Sequence, residues 1–337
     1  MSDTLIAPAV RLPIAMSDVN AAAARIKGQA VRTPLLSNSV LDEVTGGKVL
    51  FKPECLQRTG SFKFRGAYNR LAALGEEGRR KGVVAASSGN HAQGVAEEAR
   101  IFGISATIVM PTDAPAIKRL RTERSGATVV PYDRAKEDRL AIANEIAERT
   151  GAVFVPPYDD PFVMAGQGTA GLEIAEDLER MNARADRVLV PTGGGGLLSG
   201  ISTAVSALMP SAVCQPVEPE DFDDTNRSLS SGERVSNERR TGSIADALLS
   251  VSPGTLTFTV NRERARPGFS VSDADMLRAV AFAANELKLV VEPGGAAALA
   301  ALLAGSAKVR GEVVVCVLSG GNIDPPMLAE ALSLATA

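Results

Sequence analysis

The sequence contains one histidine and no tryptophan among its 337 residues. The single histidine, His91, excludes histidine-rich zinc sites and leaves any Ser-His-Asp hydrolase dependent on this one residue. Aromatic residues make up 4% of the chain, and 36 Lys and Arg are balanced by 39 Asp and Glu, so neither a base-stacking platform nor a basic stripe is indicated. The composition therefore predicts no nucleic-acid partner.

Cysteines and long apolar runs are also scarce. Cys55, Cys214 and Cys316 lie far apart and form no CxxC pair, which is typical of small buried residues in a reducing compartment. No apolar run is long enough to span a bilayer, and the first residues lack the basic region and apolar core of a signal peptide. We therefore expect a cytoplasmic protein without a membrane partner.

Short β-rich runs alternate with helical stretches along most of the chain. The runs are VVAAS (83–87), ATIVMP (106–111), ATVVPY (127–132), AVFVPP (152–157), RVLVPT (187–192), VCQPVEP (213–219) and EVVVCVLSGG (312–321). This alternation predicts parallel strands with crossover helices, hence two doubly wound open α/β domains with a ligand cleft at the carboxyl ends of the strands. The polar stretch 221–240 has no periodicity and predicts an exposed loop.

The segment PTGGGGLLSG (191–200) places four glycines, Gly193 to Gly196, between a strand and a helix. Backbone N–H groups without side chains, together with the helix dipole, favour a bound phosphate. A Rossmann dinucleotide site is the rival, because Glu218 follows the next strand, but Leu198 or Ser199 falls where the third glycine is needed. The segment therefore predicts a phosphate site.

Lys63 lies between Phe62 and Phe64 in TGSFKFRGAYN (59–69). A lysine nucleophile requires an accessible neutral amine, and apolar neighbours favour it by desolvation. Most lysines with such neighbours are surface residues with a buried stem, so the segment alone is weak evidence for catalysis.

The segment ASSGNHAQGVA (86–96) follows a predicted strand and opens a helix. Ser87 or Ser88 could be a helix N-cap, and Asn90 could fill a turn position. A polar turn at the carboxyl end of a strand is equally the place where a ligand site is expected.

The order SFKFRGAYN, SSGNHAQG, TGGGGLLSG, EPGGAAALAALL and VLSGGN resembles the fold-type II pyridoxal-phosphate enzymes, within them the threonine/serine dehydratase (ammonia-lyase) and serine racemase family. The resemblance covers roughly residues 20 to 325. It implies a tryptophan synthase β-like α/β fold with pyridoxal 5'-phosphate in the cleft. The large cofactor-binding domain would comprise residues 1–74 and 162–337, and the small α/β domain residues 75–161. A homodimer is also implied.

The resemblance implies a role for each matching residue. Lys63 would hold the cofactor covalently, Phe62 would pack against its ring, Asn90 would bind the ring hydroxyl, and Ser319 would sit at the ring nitrogen. The phosphate would be held by Gly193, Gly194, Gly195, Gly196 and Leu197. The substrate carboxylate would be bound by Ser87, Ser88, Gly89, Asn90 and His91, at a helix N-terminus that favours an anion.

Two of these residues carry open alternatives. Serine racemases have Ser where related dehydratases often have Ala, so Ser88 is a candidate second catalytic residue that serves as acid or base in racemisation. His91 is as compatible with a structural role in the turn as with a catalytic one.

The segment VEPEDFDD (217–224) resembles the divalent-cation loop of serine racemase-like proteins. Glu218 and Asp224 would supply carboxylates and Phe222 a backbone carbonyl, an oxygen set suited to Mg²⁺ or Ca²⁺. The alternative is an acidic loop in solvent.

The implied reaction is the β-elimination of a small 3-hydroxy amino acid, such as L-threonine or L-serine, to a 2-oxo acid and ammonia. The freed amine of Lys63 would remove the Cα proton. Alternatives are a threo-3-hydroxyaspartate or hydroxyectoine-pathway dehydratase, for which Arg134 and Arg139 are candidate receptors of a second carboxylate, and a serine or amino-acid racemase. β-Replacement, as in cysteine synthases, and a non-catalytic amino-acid sensor are more distant alternatives.

Overall fold

The computed structural model describes residues 11–87, 89–114, 116–133 and 135–334. Two residues that the sequence singles out, Ser88 and Arg134, lie outside the described residues.

The described residues form two β-sheets. The strands are β1 Leu36–Ser37, β2 Lys48–Pro53, β3 Val83–Ala86, β4 Ala106–Pro111, β5 Thr128–Tyr132, β6 Val153–Phe154, β7 Arg187–Pro191, β8 Val213–Pro219, β9 Phe269–Val271 and β10 Val313–Leu318. The larger sheet has the order β1-β2-β10-β7-β8-β9, and the smaller has the order β5-β4-β3-β6. Every pairing is parallel except that of β1 with β2.

The α-helices connect and cover these strands. They are α1 Met16–Ile26, α2 Ser39–Thr45, α3 Lys63–Ala72, α4 Glu76–Lys81, α5 Asn90–Phe102, α6 Ala116–Arg124, α7 Arg139–Thr150, α8 Pro161–Arg180, α9 Gly196–Leu208, α10 Asp224–Ser231, α11 Thr255–Arg264, α12 Asp273–Phe282, α13 Ala297–Leu303 and α14 Pro325–Leu334. Short 3-10 turns include Asp246–Leu248 and Gly294–Ala296.

The apolar strands of the larger sheet are buried on both faces. In β7, Leu189 packs with residues of α2, α12, α13 and α14, whereas Val188 and Val190 face α8 and α9. Successive side chains of a strand point to opposite faces, so a strand covered on both sides is apolar throughout. This explains why RVLVP and VVVCVL are unbroken apolar runs rather than alternating ones.

The smaller sheet is built in the same way. Val83 and Ala85 of β3 pack with α3 and α5, and Val84 and Ala86 pack with α7 on the opposite face. All four of its strands lie in the segment 75–161 that the sequence predicts as a small domain. The exact domain division stays a prediction.

The prediction of an exposed loop at 221–240 is wrong for its first half, where α10 forms. The carboxylate of Glu218 accepts the backbone N–H groups of Thr225 and Asn226 at the start of this helix, and Gly232, with φ 80°, ends it. The buried residues of α10 are Asp224, Thr225 and Ser228. Because these are polar, the helix has no apolar periodicity that the sequence could reveal.

Candidate active site

A pocket lies where β3, β7 and β10 end, and residues that follow strands of both sheets line it. Adjacent parallel strands bring their carboxyl ends to one edge, which is where open α/β sheets bind ligands. The sequence-predicted residues that line it are Phe62, Lys63, Ser87, Gly89, Asn90, His91, Gly193, Gly194, Gly195, Gly196, Leu197 and Ser319. The structure thus brings together every predicted cofactor and substrate residue that it describes.

Lys63 is the first residue of α3, and its amine faces this pocket. Its Nζ donates to the carbonyl oxygen of Pro157 at 2.6 Å and lies 5.1 Å from the ring centroid of Phe62. Burial lowers the pKa of Lys63 to about 8, although the carboxylate of Glu292 opposes this shift. Roughly a tenth of the amine is therefore neutral at pH 7, far more than for an ordinary lysine, and a lysine nucleophile requires this neutral form.

The glycine loop turns its carbonyl groups away from the pocket. Thr257 Oγ1 donates to the Gly194 carbonyl at 2.7 Å, and Asn261 Nδ2 donates to that of Gly195 at 3.2 Å. Within the described part of the chain, no protein group accepts the backbone N–H groups of residues 193–197. Five N–H groups at the start of α9 are thus free for an anion, which matches the phosphate site that the sequence predicts.

Two loop positions require glycine for different reasons. A Cβ on Gly194 would lie 2.4 Å from ring atoms of Tyr158, so the aromatic ring excludes any side chain there. Gly195 has φ +88°, a conformation that residues with a Cβ rarely adopt. The loop can therefore run against the pocket wall while its N–H groups point inward.

The N-terminus of α5 forms the opposite wall. Gly89 precedes the helix and has open space on its Cα, and the Ser87 hydroxyl accepts the Gly89 N–H at 3.2 Å. Asn90 starts the helix, and its Oδ1 accepts from Asn322 Nδ2 at 2.7 Å. This end of α5 is a suitable place for a carboxylate.

His91 is buried behind this wall. Its Nε2 lies 2.9 Å from the carbonyl oxygen of Val155, and a carbonyl can only accept, so Nε2 carries a proton. Burial lowers the pKa of His91 to about 3, and the charges of Lys63 and Arg139 add to the shift. The imidazole is therefore neutral and ties α5 to the end of β6, an arrangement that favours a structural role.

Ser319 follows β10. Backbone hydrogen bonds join the segment around it to the turn before Lys63. The Phe62 N–H donates to the Ser319 carbonyl at 3.1 Å, and the Gly321 N–H donates to that of Gly60 at 2.8 Å. These bonds hold Ser319 and Lys63 on the same side of the pocket.

Four pocket residues carry charge or aromatic surface without having been assigned a role from the sequence. They are Glu292, Lys118, Asp246 and Tyr158. Glu292 belongs to the EPGG motif, and Lys118 Nζ pairs with Asp246 Oδ2 at 2.7 Å. Their segments are distant from the glycine and lysine motifs in sequence, so only the fold reveals that they share the pocket. Arg139, the first residue of α7, also lines it.

The predicted metal residues lie outside the pocket, behind the glycine loop. Glu218 and Asp224 are fully buried; burial raises the pKa of both, and for Glu218 the neighbouring Asp224 adds to the effect. Thr225 connects them to the loop, because its Oγ1 donates to the Gly193 carbonyl at 3.3 Å. Among the described residues, no cluster of three or more His, Cys, Asp or Glu side chains is suited to a metal.

Several known proteins are similar to this chain in both sequence and fold. A family model described as pyridoxal-phosphate dependent enzyme matches residues 26–320. The L-threo-3-hydroxyaspartate ammonia-lyase of Pseudomonas sp is 46% identical over 307 residues, which cover 91% of this chain and 95% of that protein. The L-threonine ammonia-lyase of Thermotoga maritima is 44% identical over 317 residues, covering 94% and 77%.

The solved structure of maize serine racemase matches with a TM-score of 0.89 at 36% identity, covering 96% of this chain and 98% of that one. The predicted fold-type II α/β architecture is thereby confirmed. Separately, no helix in the described ranges is long and apolar enough to cross a membrane. The predictions of a lyase and of pyridoxal phosphate as cofactor are confirmed. The chain belongs to the family of pyridoxal-phosphate-dependent enzymes.

Proposed function

We propose that this enzyme removes the β-hydroxyl and the amino group of a small L-3-hydroxy amino acid, such as L-threonine or L-serine, and releases a 2-oxo acid and ammonia. The observation that carries the proposal is the position of Lys63, whose buried amine faces the same pocket as the free N–H groups of the glycine loop. The identities to two ammonia-lyases support the reaction type.

The residues present fit pyridoxal phosphate. The N–H groups of Gly193 to Leu197 would hold its phosphate, and Lys63 would bind its aldehyde carbon. Ser319 would lie at the ring nitrogen, Asn90 at the ring hydroxyl and Phe62 at the ring. When bound, the cofactor withdraws electrons from the substrate Cα and acidifies its proton.

The chain's own groups would then bind and deprotonate the substrate. The N-terminus of α5, with Ser87, Gly89 and Asn90, would hold the α-carboxylate. The amine of Lys63, whose pKa burial lowers to about 8, would take the Cα proton. The β-hydroxyl would take up a proton and leave as water, which offsets the proton removed from Cα. Hydrolysis of the released unsaturated amine would then consume one water and yield the 2-oxo acid and ammonia.

The decisive test compares the two lysines that line the pocket, Lys63 and Lys118. Lys63→Ala should abolish both the lysine-bound cofactor absorbance and 2-oxo acid formation, whereas Lys118→Ala should keep the absorbance. Borohydride reduction followed by peptide mass spectrometry should place the cofactor on Lys63. Cofactor found on Lys118, or turnover retained by Lys63→Ala, would refute the assignment.

L-threo-3-hydroxyaspartate is a second candidate substrate, which Arg139 favours. This guanidinium lines the pocket, and no carboxylate of the described residues pairs with it. A charge-assisted hydrogen bond to a second substrate carboxylate contributes about 1.5–3 kcal/mol. Arg139→Gln should lower kcat/KM for hydroxyaspartate about 10- to 100-fold and change that for L-serine little. An equal loss on both substrates would contradict this role.

Racemisation is a third candidate, supported by the likeness to maize serine racemase and by the serine at position 88. Ser88→Ala should abolish exchange of the Cα proton from the face opposite Lys63 while elimination continues. Chiral chromatography of recovered serine measures the first, and 2-oxo acid formation measures the second. Equal loss of both would remove Ser88 from the candidate catalytic residues.

A bound Mg²⁺ or Ca²⁺ at Glu218, Asp224 and the Phe222 carbonyl remains part of the proposal. Asp224 Oδ2 is buried without a hydrogen-bond partner, and two neighbouring buried carboxylates favour a divalent cation. Millimolar Mg²⁺ or Ca²⁺ should raise the unfolding temperature of the wild type but not that of Glu218→Gln, with the nearby Glu220→Gln as control. An equal rise in all three would contradict a site here.

A homodimer and a cytoplasmic location also stay predictions. Light scattering of the purified protein decides the first, and fractionation of the source cells decides the second.

A further inference from the structure

The carboxyl of Glu292 is the one acidic side chain, among the described residues, that lines the pocket beside both Lys63 and Asn90 without an ion-pair partner. It is 3% exposed. It is the first residue of the EPGG motif, to which the sequence assigned no catalytic role. A buried carboxyl in a binding pocket is costly unless it is neutral or serves a ligand.

Asn90 is held between two partners. Its Oδ1 accepts from Asn322 Nδ2, and its Nδ2 donates to Glu292 Oε1. Asn322 is fixed in turn, because its Nδ2 also donates to the Thr59 carbonyl and its Oδ1 accepts from Arg121. The Asn90 amide therefore has only one orientation that satisfies both neighbours, with its amino group on the side of Glu292.

The backbone around Glu292 leaves space for this contact. The Glu292 N–H donates to the Gly320 carbonyl at 3.0 Å, and a Cβ on Gly320 would lie 2.2 Å from Glu292 Oε1 and 3.1 Å from Asn90 Nδ2. Gly320 directly follows Ser319, the residue assigned to the ring nitrogen. A glycine at 320 thus lets a carboxyl reach Asn90 inside the cofactor pocket.

We propose that Glu292 is a positioning residue of the cofactor site, which holds the Asn90 amide toward the ring hydroxyl and keeps one exchangeable proton beside it. This inference rests on the proposed function, in which Asn90 binds that hydroxyl. One N–H of the Asn90 amide goes to Glu292 and the other stays available for the hydroxyl oxygen. The ring hydroxyl and the Glu292 carboxyl would then lie on either side of one amide, and repulsion between their two anions would favour keeping one proton on the pair.

The charges around Glu292 support a proton that exchanges near neutral pH. Burial raises the pKa of Glu292 to about 7, and Asp246 adds to the rise, whereas Lys118, the Asn90 hydrogen bond and Lys63 oppose it. The Cys55 thiol is also near, but its own pKa is raised to about 12, so it stays neutral. Glu292 is thus neutral below about pH 7 and ionised above it.

The absorbance of bound pyridoxal phosphate tests this inference, because it reports the protonation of the cofactor site without turnover. The holoenzyme is titrated from about pH 5.5 to about pH 9, a range that brackets the Glu292 pKa. The wild type should show a spectral transition with a midpoint near pH 7, and Glu292→Gln should lack it. Glu98→Gln is the matched control, because Glu98 is a fully buried carboxyl of α5 that does not line the pocket.

Two further variants keep the test decisive if Glu292→Gln does not retain the cofactor. Glu292→Asp should shift the midpoint, because the shorter side chain changes the contact with Asn90, and Gly320→Ala should shift it while Glu292 is intact. Wild-type midpoints in Glu292→Asp and Gly320→Ala, or a wild-type titration in Glu292→Gln, would overturn the inference. Absence of 2-oxo acid from every substrate would refute the proposed function and leave the titration result unaffected.

Discussion

Two groups of carboxylates, all buried except the partly exposed Glu173, lie along the larger sheet, and their surroundings differ. Glu54 and Glu173 share two cations: Arg65 donates to Glu54 at 2.7 and 2.8 Å and to Glu173 at 2.8 Å, and Lys52 donates to Glu173 at 2.6 Å. We call these four residues the balanced cluster. Glu218 and Asp224, the acidic pair, have backbone N–H groups and the Asn237 amide as donors but no cation among the described residues.

We interpret the difference as that between carboxylates with a structural role and carboxylates proposed to hold an ion. In the balanced cluster, attraction and bidentate hydrogen bonds offset the cost of removing charges from water. Arg65 lies two residues after Lys63 on α3, so the cluster fixes the helix that begins with the proposed cofactor-binding lysine. In the acidic pair, backbone N–H groups and the Asn237 amide offset part of that cost, but no cation of the described residues forms an ion pair with either carboxyl, a pattern that fits the proposed ion site.

The largest effect is expected from breaking the balanced cluster. Arg65→Met leaves Glu54 buried and unpaired, which should lower the free energy of unfolding by about 3–5 kcal/mol. Urea unfolding of the cofactor-free protein measures this loss. The control is Arg32→Met, since Arg32 is 40% exposed in its pairs with Glu176 and Asp177 and should cost less than about 1 kcal/mol. Equal losses in the two variants would contradict the distinction.

A second prediction concerns His91, which is buried near cations and stays neutral. Its pKa is lowered to about 3 in the folded protein, below the ordinary value of 6.5, so the unfolded chain binds its proton first as the pH falls. The free energy of unfolding of the wild type, relative to His91→Gln, should therefore fall by about 1.4 kcal/mol per pH unit between about pH 6 and about pH 4.

The difference between the wild type and His91→Gln removes the effect of carboxyl titration on the free energy of unfolding, because both proteins have the same carboxyl groups. Because the chain has one histidine, proton NMR also gives a direct control: its imidazole signal should not titrate above about pH 5 in the folded protein and should titrate near pH 6.5 in urea. A folded-state midpoint near pH 6.5 would show that the imidazole is accessible to protons.

The sequence predicted the central strands and the glycine loop because their causes are local. The short apolar runs RVLVP and VVVCVL alternate with helical stretches, a pattern typical of buried parallel strands, and Gly193 to Gly196 suit an anion without help from other segments. Lys63 alone was weak evidence, and the resemblance supplied its role. Glu292 was missed because its surroundings come from distant segments, namely Asn90, Lys118 and Asp246.

The smallest effect is expected from a substitution in the acidic pair. In metal-free buffer, Asp224→Asn should raise the free energy of unfolding by about 1 kcal/mol, because it removes a buried carboxyl that lies beside Glu218 without an ion-pair partner and places a neutral amide where Oδ2 has no hydrogen-bond partner. The control is Asp223→Asn, whose carboxylate already pairs with Arg227 at 2.8 Å and should gain nothing. Thermal unfolding in the presence of a chelator and then of Mg²⁺ or Ca²⁺ measures both. With the ion present, the order of stability should reverse, because the proposed site would hold the ion in the wild type and would lose one of its ligands in Asp224→Asn. If Asp224→Asn were less stable than the wild type even in chelator, the chain itself would stabilise the acidic pair, as it does the balanced cluster. The distinction between the two groups would then be contradicted.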